Sequence, residues 1–240
     1  MRSALFFAVI CLIVAPVFAD PTVDIQPPTI SGSIVSIPGV GDFEMVVPLE
    51  EFEVEEGKWK LKGGFTQLGI MDGTANLVIE EIEFEPDPSV FYNAILTNTT
   101  ASVQTYTLSI AVPTVFAAPN LIHGATTVGL IDGGTDGATL TSVAPTAVYQ
   151  SIIDGATVGT LLNDPFSLVA PPMGVNQIGA TYGWNPSNVP INMFMGITHT
   201  FTLTPGDSAS FLSRFDVIVP EPAALSLLAI GGLLLMRRRR

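Results

Sequence analysis

The chain has 240 residues, 48% of them apolar and 13% charged, and its formal net charge is −13. This length suits one sizeable domain or two small ones, and the apolar content excludes an intrinsically disordered chain. The acidic balance argues against a nucleic-acid-binding protein, which needs a basic face.

Residues 1–19 are typical of a secretory signal peptide. A basic start is followed by an uninterrupted apolar run, Ala4–Val14, which is too short to span a bilayer. Small residues then precede a predicted cleavage site between Ala19 and Asp20. Cleavage would remove Cys11, the only cysteine, so we expect a mature chain without disulfides or thiol chemistry.

Residues 20–219 predict a single all-β domain, a sandwich or a jelly roll. Runs rich in Thr, Val, Ile and aromatic residues alternate with Gly, Pro, Asn and Asp, and no stretch has helical apolar spacing. The predicted strands are Ile30–Ile37, Phe43–Val47, Glu51–Val54, Lys58–Lys62, Ala75–Glu85, Val90–Thr97, Val103–Val112, Thr126–Ile131, Ala138–Val143, Ala147–Ile153, Phe166–Val169, Thr198–Leu203 and Ser208–Ile218.

One hairpin can be predicted in register, with Glu56–Gly57 as its two-residue turn. The predicted cross-strand pairs are Glu55 with Lys58, Val54 with Trp59, Glu53 with Lys60, Phe52 with Leu61, and Glu51 with Lys62. A slip by one residue would exchange the two faces, so the alternation specifies the register. We expect ion pairs on the polar face that define the register more than they stabilise the fold.

A β-bulge is predicted at Glu80–Glu81, because the apolar residues change parity there within the strand. The prolines of the Pro86–Pro88 segment then predict a turn.

The segment Asp132–Gly137 resembles the opening of a calcium-binding loop, with Asp132 at its first position and Asp136 at its fifth. Gly134 stands where the third-position ligand belongs, and Val143 stands where the twelfth-position Glu belongs. A glycine-rich turn between two strands explains the segment without an ion. We therefore predict no metal and no cofactor, with calcium at Asp132 and Asp136 as the alternative.

Residues 171–190, rich in Gly, Pro and Asn, predict a long loop. Tyr182, Trp184 and Asn185 lie on it, and they are the residues most typical of a carbohydrate contact in this chain. The alternative is a tryptophan that holds its loop against the sandwich.

The two histidines, His123 and His199, lie in no metal-binding or nucleophile motif. Both are interpreted as structural, and His199 is assigned to the outer face of its strand. Acid pairs for glycoside hydrolysis depend on tertiary distances, so the sequence leaves a hydrolase open.

The C-terminus has three consecutive sequence elements: Pro220–Glu221–Pro222, the apolar run Ala223–Met236, and four arginines, Arg237, Arg238, Arg239 and Arg240. The arginines are expected to stay on the cytoplasmic side of a membrane. As a helix the apolar run spans about 21 Å, short of the roughly 30 Å of a hydrocarbon core. This is typical of a marginal and therefore temporary anchor.

These three elements resemble the PEP-CTERM sorting signal of Gram-negative surface proteins. The resemblance implies processing by an exosortase, a membrane protease that is thought to cut near Pro220–Glu221–Pro222. It implies release or transfer of the protein to the cell surface, often together with exopolysaccharide production.

Removal of both ends leaves four basic and 21 acidic residues, a net charge near −17. We expect an exported cell-surface or extracellular-matrix protein with a structural or adhesive role and no catalysis. A carbohydrate-binding module is the alternative, and a polysaccharide hydrolase is a further one. The expected partners are an exosortase, the membrane through residues 223–236, and extracellular polysaccharide, but not nucleic acid.

Overall fold

The computed structural model describes residues 27–34, 43–55, 58–62, 65–70, 75–85, 88–115 and 120–218. The predicted signal peptide with its cleavage site, and the residues from 219 onward with the sorting motif, lie outside the described residues. The strands are β1 (Thr29–Ile34), β2 (Phe43–Val46), β3 (Phe52–Glu55), β4 (Lys58–Leu61), β5 (Phe65–Ile70), β6 (Ala75–Glu85), β7 (Ser89–Asn98), β8 (Gln104–Pro113), β9 (Asn120–Ile131), β10 (Ala138–Ser142), β11 (Tyr149–Ile153), β12 (Ala156–Leu161), β13 (Ser167–Ala170), β14 (Val175–Ser187), β15 (Phe194–Leu203) and β16 (Ser208–Ile218).

Within the described residues, these strands form two antiparallel sheets. The first sheet has the order β12-β11-β15-β8-β1-β2, with β10 beside β15 and β13 beside β10. The second sheet has the order β14-β9-β16-β7-β6-β4-β3, with β5 beside β6. The all-β prediction is thereby confirmed, with two sheets facing one core.

The core lies between the sheets and follows from strict alternation along the long strands. In β7, β8, β15 and β16 every second side chain is buried over most of the strand. Phe201 of the first sheet and Phe211 of the second are both fully buried, with ring centroids 4.8 Å apart. Contacts of this kind join the sheets into one hydrophobic unit.

The hairpin register is confirmed over four residue pairs, from Phe52 opposite Leu61 to Glu55 opposite Lys58. The predicted ion pairs are wrong in detail. Lys58 contacts Glu83 at 2.7 Å and Glu85 at 2.5 Å on β6, because β4 lies between β3 and β6.

A bulge within β6 and a turn after β6 were also predicted from the sequence. The bulge is confirmed, since the pairing of β6 with β7 shifts register between Ile79 and Glu81. Glu85 lies opposite Ser89, so the chain reverses across the predicted turn.

The predicted loop at 171–190 is wrong, because β14 occupies most of it. This strand pairs with β9 from Val175 opposite Ile131 to Ser187 opposite Asn120. Gly and Pro have weak strand propensity, but an edge strand tolerates both, and tertiary pairing overrides that propensity.

The strand β12 was not predicted, although its turn signal is present in the sequence. Asp154 and Gly155 have φ values of 48° and 82° and connect β11 to β12. Two consecutive positive φ values are the requirement of a type I′ hairpin turn, and Asp-Gly is a preferred pair for it. Among the described residues, no helix is long and apolar enough to cross a membrane.

Candidate functional site on the outer face of the second sheet

Three neighbouring strands bring polar side chains together at one place on the outer face of the second sheet. Asp216 of β16 lies directly opposite His123 of β9, and their side chains point away from the core. A register shift in β14 between Tyr182 and Asn185 leaves Trp184 beside His123, with ring centroids 5.1 Å apart. We call His123, Thr181, Trp184, Arg214 and Asp216 the Trp184 cluster.

A hydrogen bond to Asp216 orients the imidazole of His123, and the hydroxyl oxygen of Thr181 lies near its other nitrogen. Its Nδ1 lies 3.0 Å from Asp216 Oδ2, and its Nε2 lies 3.3 Å from Thr181 Oγ1. An ionised carboxylate can only accept, so the proton of this pair is on Nδ1. The ring plane is therefore fixed next to the indole.

Arg214 completes the cluster from the same strand as Asp216. Its Nε donates to Asp216 Oδ1 at 2.6 Å, so one carboxylate orients both the guanidinium and the imidazole. The Arg214 side chain remains 44% exposed, whereas that of Asp216 is 11% exposed. A guanidinium carries more N–H donors than the one that bonds to Asp216.

The hydroxyl of Thr181 is not arranged as a nucleophile. It donates to the carbonyl oxygen of Gly124 at 3.0 Å, and a carbonyl can only accept. The hydroxyl proton therefore does not face His123, as activation by a general base requires. The cluster can present an aromatic face and fixed hydrogen-bonding groups, which is the chemistry of binding.

Trp184 is 47% exposed, as a surface contact requires, but Tyr182 does not form a platform with it. The Tyr182 ring points between the sheets, over Gly124 of β9 and Gly159 of β12, and its hydroxyl lies 2.6 Å from Ser151 Oγ. Asn185 is exposed beyond the register shift, opposite Ile122. Of the three residues predicted for a carbohydrate contact, Trp184 and Asn185 are exposed, whereas the Tyr182 ring lies between the sheets.

His199 is not on an outer face, as was predicted, but fully buried between the sheets. Its Nδ1 bonds to the hydroxyl of Tyr92, and its Nε2 lies 3.2 Å from Ser213 Oγ. Burial lowers the pKa of His199 to about 3, so the ring is neutral. Strand alternation places His199 on the same face as Ile197 and Phe201. That alternation predicts the burial of His199 correctly, whereas the polarity of its ring does not.

The carboxylate of Asp132 accepts hydrogen bonds from backbone groups of its own turn and of the segment before β14. Its Oδ2 accepts from the N–H of Met173 at 2.6 Å and its Oδ1 from that of Gly134 at 3.0 Å, and these bonds lower its pKa. Asp136 is exposed in the same turn. In the described part of the chain, no three His, Cys, Asp or Glu side chains are grouped to hold a metal ion. For the alternative of calcium at Asp132 and Asp136, the described residues provide no group of three side chains of these types.

Sequence reasoning missed His123, Arg214 and Asp216 as members of a site. The only local signal was the spacing of Arg214 and Asp216, which places them on one face of a strand. His123 is far from both along the chain, and the pairing of β9 with β16 brings it to them.

The fold defines an all-β protein of two facing antiparallel sheets with a polar cluster beside an exposed tryptophan. No family model and no curated protein matches the chain. Among solved structures, it is similar to a cyclase from Fischerella sp. TAU, at 10% identity and a TM-score of 0.31, covering 79% of this chain and 99% of that chain. It is also similar to an apo form cyclase from Fischerella sp., at 12% identity and a TM-score of 0.32, covering 79% and 98%. Similarity at this level carries no argument about function.

Proposed function

We propose that this chain is exported, sorted to the cell surface through its C-terminal segment, and acts there as a structural or adhesive protein without catalysis. The observation that carries the proposal is the order of three elements at the C-terminus: the Pro220–Glu221–Pro222 motif, the short apolar run and the arginines. The last strand ends at Ile218, so the motif follows the folded domain almost at once. A protease acting there would leave the sandwich whole.

The experiment is intact-mass analysis of the protein recovered from the surface of a bacterium that carries an exosortase. We expect a chain that begins near Asp20 and ends near Pro220. The comparison is a variant with Pro220→Ala, Glu221→Ala and Pro222→Ala, which should keep its tail and stay in the inner membrane. A matched variant with two of the four terminal arginines replaced by lysine keeps the positive charge and should be processed normally. Full-length protein in the cytosol would contradict the proposal.

Carbohydrate binding at the Trp184 cluster is the second candidate function. The exposed indole offers a flat apolar face beside His123, and Asp216 is hydrogen-bonded both to that imidazole and to Arg214. Stacking on an aromatic face combined with charged donors and acceptors suits the apolar faces and hydroxyl groups of a sugar.

A glycan array followed by titration tests this candidate. We expect binding that Trp184→Ala reduces at least tenfold and Arg214→Gln weakens. The matched control is Trp59→Phe, because Trp59 packs on Phe84 away from the cluster, at a ring distance of 5.8 Å. Equal binding by Trp184→Ala and the unchanged chain would reject the site, and release of reducing sugar from a bound polysaccharide would indicate a hydrolase.

A further inference from the structure

The strand β14 is the edge of the second sheet, and near its start the side chain of Asn176 donates to the carbonyl oxygen of Val169 on β13. Among the described residues, it pairs only with β9. Because hydrogen bonds of an antiparallel pair alternate along the strand, half of the backbone groups of β14 point away from β9. A strand of another chain can pair with such an edge.

The open stretch is Val175–Thr181, before the register shift in β14. Asn176 satisfies one group there, since its Oδ1 accepts from the backbone N–H of Gln177 at 2.9 Å. This is a local bond to a side chain, and a pairing strand can exchange it for a backbone carbonyl. The stretch is long enough to pair over several residues.

The two edges of the second sheet differ in charge. At the far edge, β3 carries Glu53 and Glu55, both exposed, and charges of this kind oppose edge-to-edge pairing. In β14 there is no charged residue, and none occurs between Asp164 and Asp207 apart from the buried, neutral His199. Protection of the edge by charged side chains is therefore missing on the β14 side.

Exposed apolar side chains are concentrated around the same stretch. Met173 is 75% exposed and Val175 70% exposed. The other large apolar residues exposed near this end of β14 are Ile131, Val169 and Ile178. Exposed apolar surface beside an unpaired edge is a feature of interaction sites.

We propose that a second copy of this chain covers this edge, with the two β14 strands paired antiparallel about a twofold axis at Ile178. Such an arrangement places Val175 of one copy opposite Thr181 of the other, and it joins the two second sheets into one continuous sheet. A chain with a net charge of −13 repels its own copies at charged surfaces. Two copies can approach at the uncharged β14 edge without that repulsion between charged side chains, and self-complementary pairing suits a twofold dimer.

The test is sedimentation equilibrium of the full chain over a hundredfold range of concentration, in one detergent for all variants. We expect a concentration-dependent dimer that Ile178→Lys converts to a monomer, because two lysines then face each other at the axis. Gln177→Lys, at the neighbouring exposed position, should also weaken the dimer. The matched control is Leu212→Lys on the central strand β16, where the residue is 45% exposed and away from the edge, and it should dimerise normally.

A chain that stays monomeric throughout would overturn the proposal, and so would a dimer that survives both substitutions in β14. Circular dichroism melting establishes that each variant is folded. The proposal goes beyond the proposed surface role and does not depend on it. A monomer would leave the intact-mass experiment and its interpretation unchanged.

Discussion

The imidazole of His199 and the hydroxyl of Tyr92 form a hydrogen bond in the centre of the core, between residues of opposite sheets. Both side chains are fully buried, and Ser213 and Thr126 contact the other ring nitrogen at 3.2 and 3.4 Å. A neutral imidazole in this position has partners for both of its nitrogens. A protonated one would be a charge buried without a counter-ion beside it.

The first prediction follows from that burial. The pKa of His199 is lowered to about 3 in the folded chain, from an ordinary value of 6.5. The unfolded chain therefore binds the proton first as the pH falls, and stability is lost between pH 6.5 and 3. We expect a loss of about 2 kcal/mol between pH 7 and 5 from this residue.

Urea unfolding at pH 7 and pH 5 measures this loss. In a His199→Gln variant, which does not titrate, the difference between the two pH values should shrink by that amount. The carboxylates are common to both chains and cancel in the comparison. The same pH dependence in both chains would show that His199 is not the cause.

The second prediction concerns the packing of Tyr182 over Gly124. A Cβ at position 124 would lie 2.5 Å from two carbons of the Tyr182 ring. We expect Gly124→Ala to cost about 1–3 kcal/mol of stability because the ring must move. Gly183→Ala on the adjacent strand is the control, since nothing lies within 4 Å of its Cβ, and it should be near neutral.

A double-mutant cycle identifies the contact responsible. In a Tyr182→Ala background the cost of Gly124→Ala should largely disappear, because the two effects share one contact. Additive costs would locate the strain elsewhere.

The third prediction concerns Asp154, which connects the β11–β12 turn to the start of β15. Its carboxylate accepts from the backbone N–H groups of Asn192, Met193 and Phe194 at 2.8–2.9 Å. Burial raises its pKa, but these backbone bonds outweigh burial and leave the pKa below its ordinary value of 3.8. We expect Asp154→Asn to cost about 1 kcal/mol, because an amide NH₂ then faces an N–H donor.

Denaturant unfolding at several pH values tests this role. The folded pKa is lowered, so the contribution of Asp154 is present above the ordinary value and is lost as the pH falls through the folded value. The difference between Asp154→Asn and the unchanged chain should therefore vanish in strong acid. Asp136→Asn, at an exposed turn carboxylate, is the control and should change little at any pH.

The fourth prediction concerns Lys58 on the outer face of the second sheet. Its Nζ contacts Glu83 at 2.7 Å and Glu85 at 2.5 Å, and hydrogen bonding to Glu83 chiefly raises its pKa. Lys58→Met removes the lysine contact of Glu85 and leaves Glu83 with the longer contact to Lys60 Nζ at 3.8 Å. We expect a small fall in melting temperature that 1 M salt removes by screening.

Lys62→Met is the comparison, since Lys62 is exposed and its Nζ donates to the backbone oxygen of Glu50. Its melting temperature should respond less to the substitution and to salt. An equal, salt-independent fall in both variants would point to lost alkyl packing instead of charge.

The hairpin register and the bulge could be predicted because each depends on parity within a few neighbouring residues. The same rule, applied consistently to His199, would have placed it in the core. The strand β12 was signalled by Asp154–Gly155, whose turn type is a local property. The ion pairs of Lys58 could not be predicted, because its true partners are on a strand that only the sheet order brings beside it.

The sequence by itself determined the all-β class and which side chains share a strand face, because alternation depends only on neighbours along the chain. Only the tertiary structure decided which strands lie side by side, since that order depends on pairing between distant segments. Pairing with β9 explains why Val175–Ser187 forms a strand in spite of its weak local propensity. The same pairing places Trp184 beside His123, which lies opposite Asp216. The candidate site is the product of that pairing, because no single segment contains the indole, the imidazole and the carboxylate together.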